Sequence, residues 1–221
     1  MNTPAVFSVA SKCFVDLGEQ DYEELVSPEV WNVFLAEIAQ AESGVLAERL
    51  AARELVALEN PPSFEEHGRF CRRHFTGGLP ESAMPVESLY RPWRESGAAN
   101  TGQRGMYRSE SALYMESLIA RLGMTVPQGY EAWPDHLALE LDLLAVLLRS
   151  GCVQDARSFA LERFGWLADY RQKLLRLDDP QKDFYLALVD VLIDAVEVAK
   201  GSDAACDAEQ QEAAGIFKLY L

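Results

Sequence analysis

The stretch Trp133-Pro134-Asp135-His136-Leu137-Ala138-Leu139-Glu140-Leu141-Asp142-Leu143-Leu144-Ala145-Val146-Leu147-Leu148 decides how the rest of the chain must fold. From Leu137 to Leu148, ten of twelve residues are apolar. At about 100° per residue, Leu137, Leu141, Leu144 and Leu148 form one stripe, and Leu139, Leu143, Val146 and Leu147 largely fill the opposite side. A helix apolar almost all round is buried at the centre of a fold. It is too short to span a bilayer, which takes about 20 apolar residues. The expected helix covers 134–150. Pro134 suits the first helical position, where its missing N–H costs nothing. Asp135 suits the positive end of the helix dipole, and Gly151 suits the C-terminal cap. Other helices should pack around this one, with Asp135 and His136 at its exposed mouth.

Working outward, Ser27-Pro28-Glu29 is a helix start of cap, proline and acid. Val30, Trp31, Phe34, Leu35 and Ile38 share one face of the helix that follows. Ala5 to Leu17 predicts a short helix ended by Gly18, and Asp21 to Val26 another. After Gly44, the apolar positions Val45, Leu46, Leu50, Leu55, Val56 and Leu58 predict a helix that Pro61-Pro62 ends. Ser63-Phe64-Glu65-Glu66 reads as a capping box opening a helix to about Phe75. From Thr76 to Arg108 glycines and prolines break the pattern. A loop of that length in a compact domain is usually functional or disordered. Ser109-Glu110 restarts a helix that Gly123 closes. Val153 to Leu177 predicts a helix bent at Gly165, and Asp179-Pro180 starts another through Val196. Residues 202–221 are small and acidic, a tail or helix ending in the apolar Ile216-Phe217-Lys218-Leu219-Tyr220-Leu221. Strand alternation is absent. The expected fold is all-α: a single bundle of about ten helices over 1–201 around the buried helix.

The 221 residues carry 20 basic and 35 acidic side chains, a net charge of -15. Nucleic-acid binding normally needs a basic face, so that class is set aside. An acidic surface suits a basic partner. The cysteines Cys13, Cys71, Cys152 and Cys206 are widely spaced, with no CxxC pair, and suggest neither a zinc site nor a disulfide framework. Met1-Asn2-Thr3-Pro4 has no charged and apolar leader pattern. The expectation is a cytoplasmic protein without stable membrane insertion.

Few residues offer chemistry. The histidines are His67, His74 and His136, and none has an acid three residues before it, as a di-metal bundle site requires. No Gly-x-Ser-x-Gly occurs, and no cysteine has a setting that would lower its pKa. The glycine-rich pieces around Gly77 and Gly102 lack the Lys-Ser/Thr ending of a phosphate loop. No metal or cofactor is expected. His136 and Glu140 lie four residues apart on one helix face. A carboxylate inside an apolar arc must be paired or protonated. Glu140 is therefore either half of a structural pair or the polar floor of a binding site. Asp135-His136 reads either as helix-start decoration or as part of that site. Tyr90, Trp93 and Tyr107 either anchor the irregular segment or line a peptide groove.

Two motifs then converge. Pro85-Val86-Glu87-Ser88-Leu89-Tyr90 resembles the Pro-Tyr-Glu-Ser-Val-Tyr segment of the TorD/DmsD/NarJ family of redox-enzyme maturation chaperones. Pro134-Asp135-His136-Leu137-Ala138-Leu139-Glu140-Leu141 resembles that family's Pro-x-Asp-His-Leu-x-x-Glu-Leu signature. Phe75-Thr76-Gly77, the helix from Tyr114 to Gly123, Phe164-Gly165-Trp166-Leu167 and Phe184-Tyr185 are similar to further family segments in the same order.

The resemblance implies an all-helical cytoplasmic chaperone, not an enzyme. Its partner would be a molybdopterin oxidoreductase catalytic subunit or that subunit's twin-arginine signal peptide, held until the cofactor is inserted. It places peptide binding at Asp135 and His136, with Trp133, Pro134, Ser88 and Tyr90 beside them, and Glu140 joins this expected site as its polar floor. In this reading Asp135 pairs with a peptide guanidinium, and His136 tunes it or bonds peptide backbone. The rival readings are a helical scaffold without such a client, and a small helical enzyme using His136 and Glu140 as base and acid. Either a monomer or a domain-swapped dimer is compatible with long loops between helices.

Overall fold

A computed structural model describes residues 4–41, 52–77, 79, 81–91 and 108–196. The predicted acidic tail 202–221, Trp93 and Tyr107 lie outside the described residues. The helices are α1 (Pro4–Cys13), α2 (Glu19–Leu25), α3 (Pro28–Ala41), α4 (Ala52–Glu59), α5 (Phe64–His74), α6 (Glu110–Arg121), α7 (Leu137–Arg149), α8 (Val153–Arg163) and α9 (Leu167–Leu175). Residues 182–196 form a further helix, α10. Apart from one isolated antiparallel bridge between Val86 and His136, the described residues contain no β structure. The fold is all-α, and among the described residues no helix is long and apolar enough to cross a membrane.

Helix α7 is the centre. Leu137, Leu141, Leu143, Leu144 and Ala145 are buried. Among the described helix pairs, α1 packs most extensively against α7, and α8 covers another side. The exposed acid on α7, Asp142, is tied to α1 by the buried Ser11 hydroxyl, which donates to Asp142 Oδ1 at 2.6 Å. The second layer is aromatic: Phe70 stacks on Tyr185 with centroids 3.9 Å apart, and Phe14 and Phe75 border them.

Local signals act where they were read. Ser63 and Glu66 form the capping box of α5. Gly151 takes φ 75 just past α7, a left-handed conformation that costs glycine little. The bend at Gly165 is a 3-10 turn, Phe164–Trp166, between α8 and α9. Boundaries differ at α1, which ends at Cys13 rather than Leu17, and at the start of α7. Helix α7 starts at Leu137 with His136 as its cap, so Pro134 and Asp135 precede it. The reason is lateral: the Asp135 carbonyl accepts the Glu87 N–H at 3.0 Å, which holds this backbone out of the helix.

Candidate functional site

The site grows from the short segment that enters α7. Trp133 N–H donates to the Tyr130 carbonyl, and His136 N–H to that of Trp133, which coils the chain into successive turns. The segment 85–91 then lies across it. Leu137 N–H reaches the Pro85 carbonyl at 2.8 Å, and Ser88 N–H reaches Asp135 Oδ2 at 2.7 Å. This cross-bracing corrects the expectation of an exposed mouth. Asp135 is 0% and His136 5% exposed, because 85–91 closes over both.

Behind this brace lies a buried polar cluster. Glu87 of the 3-10 turn Glu87–Leu89 pairs with Arg163 at the end of α8, and Arg91 Nε sits 2.8 Å from Glu87 Oε1. Arg163 also lies over the Tyr114 ring, 4.6 Å from its centroid. Glu140 is completely buried and accepts the Trp166 indole N–H at 3.3 Å. Burial first, then the adjacent Glu87 carboxylate, hold Glu140 well above the ordinary carboxylate range. The shift favours the protonated form of Glu140 beside the Glu87–Arg163 pair. Tyr90 stacks on Trp166 (5.3 Å) and donates its hydroxyl to the Met84 carbonyl. Glu140 is buried, with Oε2 held by Trp166 and Oε1 without a hydrogen-bond partner among the described residues.

On the opposite side of the brace is a cleft of about 340 Å³. Its lining includes Phe14, Phe75, Met84, Tyr130, Trp133 and His136, with Asp16 and Arg72 also among the lining residues. His136 Nδ1 accepts the Ala138 N–H, capping α7, which leaves the ring proton on Nε2. Burial lowers its pKa to about 3, so the ring is neutral at physiological pH. The Tyr130 ring meets it edge-on at 5.1 Å. Cys71 also lines the cleft, and burial pushes its thiol up to about 12, so it contributes wall rather than nucleophile.

The structure therefore divides the predicted set. Trp133 and His136 line the cleft. Ser88, Tyr90, Pro134, Asp135 and Glu140 are not among its described lining residues: Ser88 and Asp135 brace the entry to α7, Glu140 and Tyr90 lie against Trp166, and Pro134 is buried. Because Glu140 is committed to Trp166 and Glu87, it does not form an acid–base pair with His136 at the cleft. Sequence reasoning missed Tyr130, Phe14, Met84, Asp16 and Arg72. The signal for Tyr130 was its place after Gly129, which takes φ 91. The others come from the segment after α1 (Phe14, Asp16), from α5 (Arg72) and from the segment before 85–91 (Met84), and only the tertiary fold brings them together.

The family model of the nitrate reductase delta subunit matches residues 40–180 of this chain. The chain belongs to the nitrate reductase delta subunit family. A curated relative, chaperone protein TorD of Vibrio parahaemolyticus serotype O3:K6 (strain RIMD 2210633), is 27% identical over 192 residues, covering 80% of this chain and 83% of that protein. Members of the nitrate reductase delta subunit family are redox-enzyme maturation chaperones rather than enzymes. That rules against the enzymatic reading of His136 and Glu140. Among the described residues no group of three or more His, Cys, Asp or Glu could hold a metal ion.

Proposed function

We propose that this delta-subunit-family chaperone works in the cytoplasm on the catalytic subunit of a molybdopterin-dependent oxidoreductase. It binds that subunit's twin-arginine signal peptide in the cleft beside Trp133 and His136 and holds it until the cofactor is inserted. The observation that carries this reading is the cleft itself. Rigid aromatics give contact area at small entropy cost, and the neutral His136 ring has a donor for a peptide carbonyl. The surrounding chain carries a net charge of -15, which attracts a cationic segment. Trp133 and His136 touch the peptide in this reading. Pro134, Asp135, Ser88, Tyr90 and Glu140 hold the wall that positions them.

The test is calorimetric titration with a synthetic peptide containing Arg-Arg followed by Phe-Leu. Trp133→Ala should weaken binding at least about tenfold, as loss of a buried aromatic anchor does. Wild-type affinity in that variant, with its fold intact by circular dichroism, would rule out this cleft as the binding site.

A further inference from the structure

Among the described residues that line the cleft, Asp16 is the one carboxylate and Arg72 the one cation, and the two face each other. Asp16 follows α1. Its backbone neighbour Val15 is anchored by its carbonyl, 2.8 Å from His67 Nε2. Arg72 comes from α5 on a long stem. Their contact is loose, 3.4 Å between Arg72 Nη1 and Asp16 Oδ2, with the side chains 66% and 42% exposed. An ion pair so exposed contributes little to stability and exchanges freely.

Gly68 shows that the contact is nevertheless built in. It is buried within α5, where glycine is unfavourable compared with alanine. A Cβ there would lie 2.8 Å from Arg72 Nη1 and 3.3 Å from Asp16 Oδ1. The absent side chain is what lets the guanidinium fold back over the helix onto Asp16.

We propose that Asp16 is the residue by which this cleft selects a cation, and that Arg72 is an internal competitor, parked on Asp16 until a ligand guanidinium replaces it. The ligand class is a peptide with an arginine next to large apolar side chains. The arginine takes Asp16, and the apolar groups take the floor formed by Phe14, Phe75, Tyr130 and Trp133. Asp16 rather than Arg72 stays in place, because its segment is short and anchored while the arginine stem is free to swing into solvent. This rests on the peptide-binding reading above and adds the residue that sets its charge preference.

The experiment compares the Arg-Arg-containing peptide with the same peptide carrying Gln-Gln, against four proteins. Wild type should prefer the arginine peptide. Arg72→Gln should bind it about threefold more tightly, with the glutamine peptide unchanged, because one exposed ion pair is removed from the competition. Gly68→Ala should act in the same direction with the net charge kept, since the new methyl group crowds the flexible end of Arg72 at 2.8 Å more closely than it does Asp16 Oδ1 at 3.3 Å. Asp16→Asn should reduce the preference between the two peptides to the salt-dependent remainder supplied by the long-range field, while keeping the residual affinity that Trp133→Ala removes. An arginine preference undiminished in Asp16→Asn, or weaker arginine-peptide binding in Arg72→Gln, would overturn this proposal while leaving the cleft as the binding site. Failure of wild type to bind either peptide would overturn both.

Discussion

His136 carries two structural duties that a surface histidine would not. Its Nδ1 caps α7, and its ring forms part of the cleft wall. Both need the neutral form, and burial supplies it by lowering the pKa to about 3. The unfolded chain therefore takes up a proton at this ring below its ordinary 6.5, while the native protein does not until about 3. Stability from this group is full above pH 6.5 and is lost as pH falls toward 3, by at most about 1.4 kcal/mol per pH unit. Glu140 acts in the opposite sense. Its raised pKa means its contribution is full below the unfolded carboxylate value and is lost as pH rises through the folded one. Comparing wild type with His136→Asn, which keeps a capping side chain, cancels the Glu140 term. Chemical denaturation between pH 4.5 and 6.5 should show wild type losing stability on acidification faster than the variant. Parallel curves would mean that His136 is not held neutral.

At the scale of elements, the informative unit is the brace between 85–91 and the entry to α7. The sequence places 76–108 outside any periodic element, yet 85–91 is held by hydrogen bonds to Asp135 and Leu137. Its partners are far away in the chain, Ser88 from Asp135 by 47 positions, so no local pattern announces them. The capping box at Ser63 was legible for the converse reason: all its atoms lie within one helical turn. Asp135→Ala should leave the Ser88 N–H buried without an acceptor, costing about 1–3 kcal/mol locally. In hydrogen–deuterium exchange, amides of 85–91 should exchange about ten-fold faster or more, while those of α10 stay as in wild type. Uniform acceleration across the chain would point to global unfolding instead, and no change would remove Asp135 from the brace.

For the molecule as a whole, the charge of -15 acts through the long-range field rather than through one contact. The association rate of the arginine peptide should fall several-fold between about 0.05 and 0.5 M salt, as steered encounters do. Its dissociation rate should change much less, and stopped-flow mixing separates the two. An association rate independent of salt would confine the electrostatics to Asp16. By itself the sequence determined the all-α class, the central helix and its stop at Gly151, the capping box at Ser63, and the acidic field. Each depends on residue type at short spacing or on total charge, and needs no knowledge of what packs where. Only the tertiary structure decided that Asp135 is a buried brace, that Glu140 belongs to a closed cluster with Arg163 and Trp166, and that Asp16 meets Arg72 at the cleft. These depend on burial and on contacts between distant segments, and the same carboxylate reads identically in sequence whether water or a protein core surrounds it.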